Sequence, residues 1–185
     1  TSERFYPIGT PGQPWTAAER EAWCARQSVR RSYADEVLAR LRKVGRGFEV
    51  RQYGALSIEP KRYPLYAVVP AQPGPELPWA LVTGGVHGYE TSGVQGALDV
   101  IDQVGPALAD RVNLVVAPCV SPWGYEVINR WNPGAWDPNR SFVANSPSEE
   151  ASALMRFVGE LGRAFLLHMD LHETTDSDEE EFRPA

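Results

Sequence analysis

The chain has 185 residues, an apolar fraction of 43%, a charged fraction of 23% and a net charge of −6. This composition is that of an ordinary soluble globular protein, and the length suffices for one domain with a sizeable core. The acidic balance argues against a nucleic-acid partner, and the apolar stretches are far shorter than the roughly 20 residues of a membrane-spanning helix. No signal peptide is visible, which favours the cytoplasm while the compartment stays open.

We predict that residues 1–47 form an irregular lead-in followed by a helix. Residues 48–185 are predicted to form the core of the same single domain. Thr16 and Glu19 have the spacing of a capping box, and apolar residues recur at helical spacing up to Lys43. Glycines at positions 45 and 47 end this pattern. The helix contains a basic cluster that we interpret as a solvated face: Arg26, Arg30, Arg31, Arg40, Arg42 and Lys43.

The core alternates short apolar strands with helices. The predicted strands cover residues 48–53, 56–59, 65–70, 79–83, 112–118 and 165–171. Helices are predicted at residues 91–104 and 148–162, the second capped by Ser146, and residues 121–141 indicate a loop. The alternation predicts a three-layer α/β/α fold with a mixed, mostly parallel, twisted sheet.

The segment Gly84-Gly85-Val86-His87-Gly88-Tyr89-Glu90 leaves a predicted strand and enters a predicted helix. Its glycines allow the backbone to turn sharply and to approach a ligand closely. His87 and Glu90 are three residues apart, which places both side chains on one side of a helical turn. An imidazole nitrogen and a carboxylate oxygen can then converge on one metal ion, although the spacing alone also describes an ordinary surface pair.

The last predicted strand ends in Met169-Asp170-Leu171-His172-Glu173, and neighbouring parallel strands would bring His172 to His87 and Glu90. Two histidines, one glutamate and an open position form the pattern of a catalytic zinc site, whereas a structural site is normally closed by a fourth protein ligand. The three residues would fit one catalytic zinc ion per chain if the fold brings them together. His168 shares the strand face of His172, and we interpret it as a buried core histidine.

Between these motifs lies a loop that is rich in asparagine and arginine. It contains Ser121-Pro122-Trp123-Gly124-Tyr125-Glu126, Asn129-Arg130-Trp131-Asn132 and Asp137-Pro138-Asn139-Arg140-Ser141-Phe142. Arginine offers a planar fork to both oxygens of a carboxylate, and asparagine adds a directional donor. The loop therefore indicates carboxylate binding, although on its own it would describe a surface loop with ordinary ion pairs.

The three motifs, in this order, resemble the zinc carboxypeptidase family over about residues 80–175. The matching features are a glycine-led His-x-x-Glu, a Pro-x-Gly-Tyr segment leading into Arg-x-Asn and Asp-x-Asn-Arg-x-Phe, and a histidine at a strand end. The resemblance implies the family's fold, zinc bound by His87, Glu90 and His172, and hydrolysis of the C-terminal amide bond of peptides by zinc-activated water.

The resemblance also implies roles for four residues of the loop. Asp137 would accept a hydrogen bond from the first zinc histidine. Asn139 and Arg140 would hold the terminal carboxylate of the substrate, and Arg130 would stabilise the oxyanion formed at the scissile carbonyl. The implied partner is thus a small substrate with a free carboxylate.

Two departures from the family pattern leave alternatives open. The run from Asp170 to Thr175 also resembles the aspartoacylase and succinylglutamate desuccinylase branch, which cleaves N-acyl amino acids. The family's general-base glutamate lies well beyond the third ligand, yet only 13 residues follow His172. We therefore expect a C-terminally incomplete chain that keeps the zinc site but has little peptidase activity; otherwise Glu173 or residues 179–181 would supply the base. A non-catalytic zinc module that recognises carboxylates is the third possible function.

Overall fold

The computed structural model describes residues 8–174, which form a five-stranded sheet with flanking helices. The strands are β1 (Phe48–Ala55), β2 (Pro64–Pro70), β3 (Trp79–Gly84), β4 (Asn113–Ala117) and β5 (Phe165–Leu171). Their order across the sheet is β1-β2-β4-β3-β5. β2 pairs antiparallel with β1 and β4, whereas β3 pairs parallel with β4 and β5. The predicted mixed α/β sheet is confirmed, and its parallel part consists of β3, β4 and β5.

The helices are α1 (Ala17–Cys24), α2 (Ala39–Leu41), α3 (Thr91–Asp99), α4 (Gly105–Leu108), α5 (Pro122–Val127) and α6 (Glu149–Leu161). A π-helical turn, Ala34–Leu38, precedes α2, and a second, Val100–Val104, joins α3 to α4. α3 packs against β3 and β5, and α6 packs against β1. None of the helices in the described part of the chain is long and apolar enough to cross a membrane.

The centre of the sheet is built from apolar residues, many of them valine. Every residue of β4 is buried, and so is every residue of β3 after Trp79. β-Branched side chains suit a pleated surface that is covered on both sides. β5 lies at the edge of the sheet and exposes three apolar side chains, Leu166, Leu167 and Met169. The buried strands thus form a rigid frame, and the loops that carry the motifs leave from its carboxyl edge.

The N-terminal helix is shorter than predicted. Its capping box is confirmed, but α1 ends at Cys24, and residues 27–32 form no regular helix. The backbone N–H groups of Arg30 and Arg31 donate to the carbonyl oxygen of Glu126, so tertiary hydrogen bonds replace helical ones. The prediction of one solvated basic helix face is therefore wrong, because the cluster is split between separate elements and Arg31 is half-buried.

Three further predictions are wrong. Residues 56–59 form turns rather than a strand. The predicted loop contains α5, which has proline at its start and ends where Ile128 adopts a left-handed conformation. Ser148, not Ser146, caps α6, because its hydroxyl oxygen accepts from the backbone N–H of Ala151 at 3.2 Å.

Candidate metal centre

The carboxyl ends of β3 and β5 bring the two histidine motifs together. Gly84 lies opposite Leu171 in the parallel register, so the residue after β5 emerges beside the turn that follows β3. Gly85 begins this turn with a φ of 60°, in the left-handed region that favours glycine. Gly88 packs directly on the backbone of α5, because an added Cβ would lie 2.1 Å from the carbonyl carbon of Gly124. The two glycines therefore allow a tight turn against α5.

His87, Glu90 and His172 each place one potential ligand atom within 4.8 Å of the others. Nδ1 of His87 lies 2.8 Å from Oε1 of Glu90, and Nδ1 of His172 lies 2.7 Å from Oε2 of the same carboxylate. His87 and Glu90 are buried, whereas the side chain of His172 is 31% exposed. Solvent therefore reaches the cluster from the side of His172.

The other nitrogen of each ring also contacts a carboxylate. Nε2 of His87 lies 3.0 Å from Oδ1 of Asp137, and Nε2 of His172 lies 2.6 Å from Oδ2 of Asp170. If each Nε2 donates to its aspartate, the Nδ1 atom of a neutral ring carries a lone pair. In that tautomer both Nδ1 lone pairs face the oxygens of Glu90.

This arrangement places more hydrogen-bond acceptors than donors around the two rings. A neutral imidazole has one N–H, yet each ring has two carboxylate neighbours, so one contact of each neutral ring would join two acceptors. A proton on each ring or a metal ion between Nδ1 and Glu90 removes this conflict. Two imidazole nitrogens and one carboxylate oxygen are the ligand set of a catalytic zinc site that keeps an open position. The residues present therefore fit a divalent metal ion.

Asp137 contacts both Arg130 and His87. Nε and Nη2 of Arg130 donate to its Oδ2 at 3.1 and 3.0 Å. Burial disfavours the carboxylate, but the hydrogen bond from His87 and the charges of His87 and Arg130 outweigh it and lower the pKa of Asp137 to about 2. Burial also disfavours the imidazolium, yet hydrogen bonds to Asp137 and Glu90 raise the pKa of His87 above its ordinary value.

The predicted carboxylate-binding residues follow Asp137 in a 3₁₀ turn, Pro138–Arg140. The backbone N–H of Asn139 donates to Oδ1 of Asp137 at 2.9 Å, which joins this turn to the carboxylate that contacts His87. Arg140 is exposed and makes no ion pair with the described residues 8–174. Arg130, in contrast, uses two of its nitrogens to hold Asp137.

The sequence interpretation overlooked the role of Asp170. Its Oδ1 accepts a hydrogen bond at 2.7 Å from the hydroxyl of Thr83, a fully buried residue of β3. Since that hydroxyl has a single proton, Thr83 Oγ1 accepts from Nε2 of His168 at 3.0 Å. His168 is exposed, so its interpretation as a core histidine is wrong. His168 and Asp170 in β5 and His172 directly after it are each two residues apart, and this spacing was the signal available in the sequence.

The sequence interpretation also overlooked the contact between Asn132 and Glu150, which organises the loop before Asp137. Oδ1 of Asn132 accepts from the backbone N–H groups of Gly134 and Trp136, both at 3.0 Å. Its Nδ2 donates at 3.2 Å to the buried carboxyl of Glu150 in the first turn of α6. Burial raises the pKa of Glu150. Nothing in the sequence connects these two residues.

Glu173, an alternative candidate for the general base, accepts hydrogen bonds from the backbone N–H and the hydroxyl of Ser92 at 2.9 and 3.0 Å. Its carboxylate is thus bound at the start of α3, where the positive end of the helix stabilises it. Residues 179–181, the other candidates, lie outside the described residues.

The fold occurs among solved metallopeptidases. A protein described as a metallopeptidase from Shewanella denitrificans is 30% identical, with a TM-score of 0.60 over 69% of this chain and 47% of that one. A metallo-carboxypeptidase from Burkholderia cenocepacia is 18% identical, with a TM-score of 0.61 over 74% and 40% of the two chains. Another from Pseudomonas aeruginosa, in complex with (2-guanidinoethylmercapto)succinic acid, is 19% identical, with a TM-score of 0.56 over 76% and 39%.

The chain therefore spans about half or less of the length of these solved proteins. A search of curated proteins gave no significant match. The family model of the succinylglutamate desuccinylase/aspartoacylase catalytic domain matches residues 76–180, which is more than half of the chain and includes all three potential ligands. The resemblance drawn from the motifs is confirmed: the chain belongs to the succinylglutamate desuccinylase/aspartoacylase catalytic-domain family.

Proposed function

We propose that the chain carries the metal centre of a zinc-dependent hydrolase that cleaves an amide bond in substrates with a free carboxylate. His87, Glu90 and His172 would hold one zinc ion. The observation that carries the proposal is their convergence, together with a carboxylate at the far nitrogen of each ring. When bound, zinc supplies a carbonyl-polarising charge and lowers the pKa of a coordinated water toward about 7.

The protein's own groups would divide the remaining work. Asp137 and Asp170 orient the two rings and keep both Nδ1 atoms available. Arg140, whose guanidinium is exposed, would form a forked contact with the substrate carboxylate, and Asn139 beside it would add a donor. Asp137 engages Nε and Nη2 of Arg130, so we assign Nη1 as the donor to the developing oxyanion.

Two substrate classes satisfy this arrangement. A peptide with a free C-terminus is the first, because the fold is that of metallo-carboxypeptidases. An N-acyl amino acid is the second, and the match to the desuccinylase/aspartoacylase catalytic domain favours it. Both would place a carboxylate at Arg140 and an amide carbonyl at the metal, and they differ in the group on the other side of the amide.

Binding and hydrolysis measured together test the proposal. Zinc-loaded protein is offered a free-acid dipeptide, the same dipeptide as its C-terminal amide, and an N-acyl amino acid. We expect the free acid to bind at least about tenfold more tightly than the amide, because hydrogen bonds to charged groups are worth about 1.5–3 kcal/mol. Arg140→Ala should remove this preference. The control is Arg163→Ala, which should keep it, because the Arg163 side chain lies over the ring of Trp79 in β3.

The outcomes separate the candidate functions. Hydrolysis of the peptide alone or of the N-acyl amino acid alone identifies the substrate class. Selective binding of the free acid without hydrolysis of either compound is the result expected of a carboxylate-binding zinc module and equally of a hydrolase chain that lacks its general base. Equal binding of the free acid and the amide would contradict the proposed role of Arg140.

A further inference from the structure

Arg31 contacts the turn that carries two of the potential metal ligands, although it lies in sequence far from that turn and outside the family match at residues 76–180. Its Nη2 donates to the carbonyl oxygen of Gly88 at 2.8 Å, and its Nη1 donates to the hydroxyl of Thr91. Its Nε donates to the carbonyl oxygen of Tyr125. One guanidinium thus joins the turn to the end of α5.

Two of the three acceptors lie on either side of Glu90 in the chain. Gly88 stands between the potential ligands His87 and Glu90, and Thr91 follows Glu90 directly as the first residue of α3. The backbone hydrogen bond within the turn is a long one, from the N–H of Glu90 to the carbonyl of His87 at 3.2 Å. A planar guanidinium presents its donors at fixed angles, so it defines where both acceptors lie relative to each other.

Arg31 is itself held in place by the buried residue Glu126. The backbone N–H of Arg31 donates to the Glu126 carbonyl, and that of Tyr33 donates to its carboxylate at 2.9 Å. The same carboxylate accepts from Arg62 and from the hydroxyl of Tyr63, at 2.7 and 2.9 Å. The guanidinium also stacks on the Tyr125 ring, with 3.6 Å between its carbon and the ring centroid. The Arg31 fork is therefore a fixed element rather than part of a loose lead-in.

The three acceptors of Arg31 are neutral oxygens, and within residues 8–174 its side chain makes no ion pair. Its role at this position is therefore geometric rather than the neutralisation of a carboxylate. We propose that Arg31 is a positioning residue of the metal centre, which holds the His87–Glu90 turn in the geometry needed for ligation. The inference rests on the proposed metal site.

Arg40 provides a matched control. Like Arg31, it joins the N-terminal region to the segment that follows Glu90, through Gln95 and Asp99 in α3 and Asp102 in the π-helical turn after it. It does not contact the His87–Glu90 turn in the described structure. Arg40→Ala therefore removes a comparable link to the same part of the molecule while leaving the turn untouched.

The test compares Arg31→Ala, Arg31→Lys and Arg40→Ala. Three quantities are measured: zinc affinity by chelator competition, the visible absorption spectrum of the cobalt-substituted protein, and the urea midpoint of unfolding. We expect Arg31→Ala to weaken zinc binding by about 10–100-fold, the range for residues that orient ligands, and to change the cobalt spectrum. Arg31→Lys, which cannot reach all three acceptors, should lie between it and the wild type.

Arg40→Ala should lower the urea midpoint and leave the zinc affinity and cobalt spectrum unchanged. Wild-type affinity and spectrum in Arg31→Ala, or an equal loss of affinity in Arg40→Ala, would overturn the positioning role. If Arg31→Ala does not fold, Arg31→Lys and Thr91→Val decide by the same criteria. Failure of the wild-type protein to bind zinc would instead contradict the proposed function, so the two failures are distinguishable.

Discussion

The carboxylate of Asp170 lies 2.6 Å from Nε2 of His172, just as the carboxylate of Asp137 lies 3.0 Å from Nε2 of His87. Two aspartates from different parts of the chain therefore orient the two rings in the same way. Thr83 donates to Asp170 and fixes that carboxylate in turn. With a metal ion at Glu90, the two aspartates would favour the tautomer in which both Nδ1 atoms are available.

Neutralising either aspartate should weaken metal binding without abolishing it. Asp137→Asn and Asp170→Asn each remove the charge that favours a protonated Nε2, so we expect zinc affinity to fall by about 10–100-fold. Chelator competition measures the affinity. Asp110→Asn, at an exposed position, is the matched control and should bind zinc like the wild type. An unchanged affinity would remove the substituted aspartate from the site.

Removal of a ligand should have a larger effect. His87→Ala and His172→Ala should each abolish stoichiometric zinc binding, because two remaining protein ligands do not maintain a catalytic zinc geometry. His168→Ala is the control: it removes a histidine that lies in β5, four residues before His172, and should retain about one zinc per chain. Zinc content after gel filtration gives the answer, and stoichiometric zinc in His87→Ala would refute the ligand assignment.

The contact between Gly88 and α5 predicts that this position rejects even a methyl group. The Cβ of Gly88→Ala would lie 2.1 Å from backbone atoms of both Gly124 and Tyr125. We expect a loss of unfolding free energy of at least about 1–3 kcal/mol, as for overpacking, together with weaker zinc binding. Gly159→Ala in α6 meets nothing within 4 Å and should be neutral or stabilising by up to about 1 kcal/mol. Urea unfolding of both variants checks this, and a fully stable Gly88→Ala would be inconsistent with the packing.

The buried carboxyl of Glu150 predicts a pH dependence of stability. Burial raises its pKa in the folded protein, against hydrogen bonds that lower it. The folded state thus binds this proton more tightly than the unfolded state. The resulting stability is fully present below the ordinary pKa of glutamate and is lost as the pH rises through the raised value.

Glu150→Gln does not titrate and can keep the contact with Asn132. It should therefore melt at a higher temperature than the wild type at pH 8, and the difference should shrink toward about pH 4, near the ordinary glutamate pKa. Melting temperatures across this range measure the effect. Glu160→Gln, exposed on the same helix, should show no such trend. A melting temperature of Glu150→Gln that falls further below that of the wild type as the pH rises would show that the ionised carboxylate stabilises the fold.

Local patterns predicted the strands that carry the site. β3, β4 and β5 are compact apolar runs bounded by glycine, proline or polar residues, and their ends lie within one residue of the predicted ones. Because parallel strands end at a common edge, this reading also anticipated that His172 would approach His87 and Glu90.

Contacts between distant segments could not be predicted in this way. Arg31 lies 94 residues from Tyr125, and nothing in its local sequence identifies an acceptor. The break after α1 has the same origin, because hydrogen bonds to Glu126 override a continuous helical pattern. The contact between Asn132 and Glu150 depends on how α6 packs. Asp170, in contrast, could have been recognised as a partner of His172, because it lies two residues before it at the end of β5.

The position of bound zinc tests the central claim most directly. Crystals of the zinc-loaded protein measured at the zinc absorption edge should show one anomalous peak per chain. We expect it at about 2.0–2.2 Å from Nδ1 of His87, a carboxylate oxygen of Glu90 and Nδ1 of His172. A zinc ion bound through Nε2 of either ring, or an anomalous peak outside this cluster, would contradict the account.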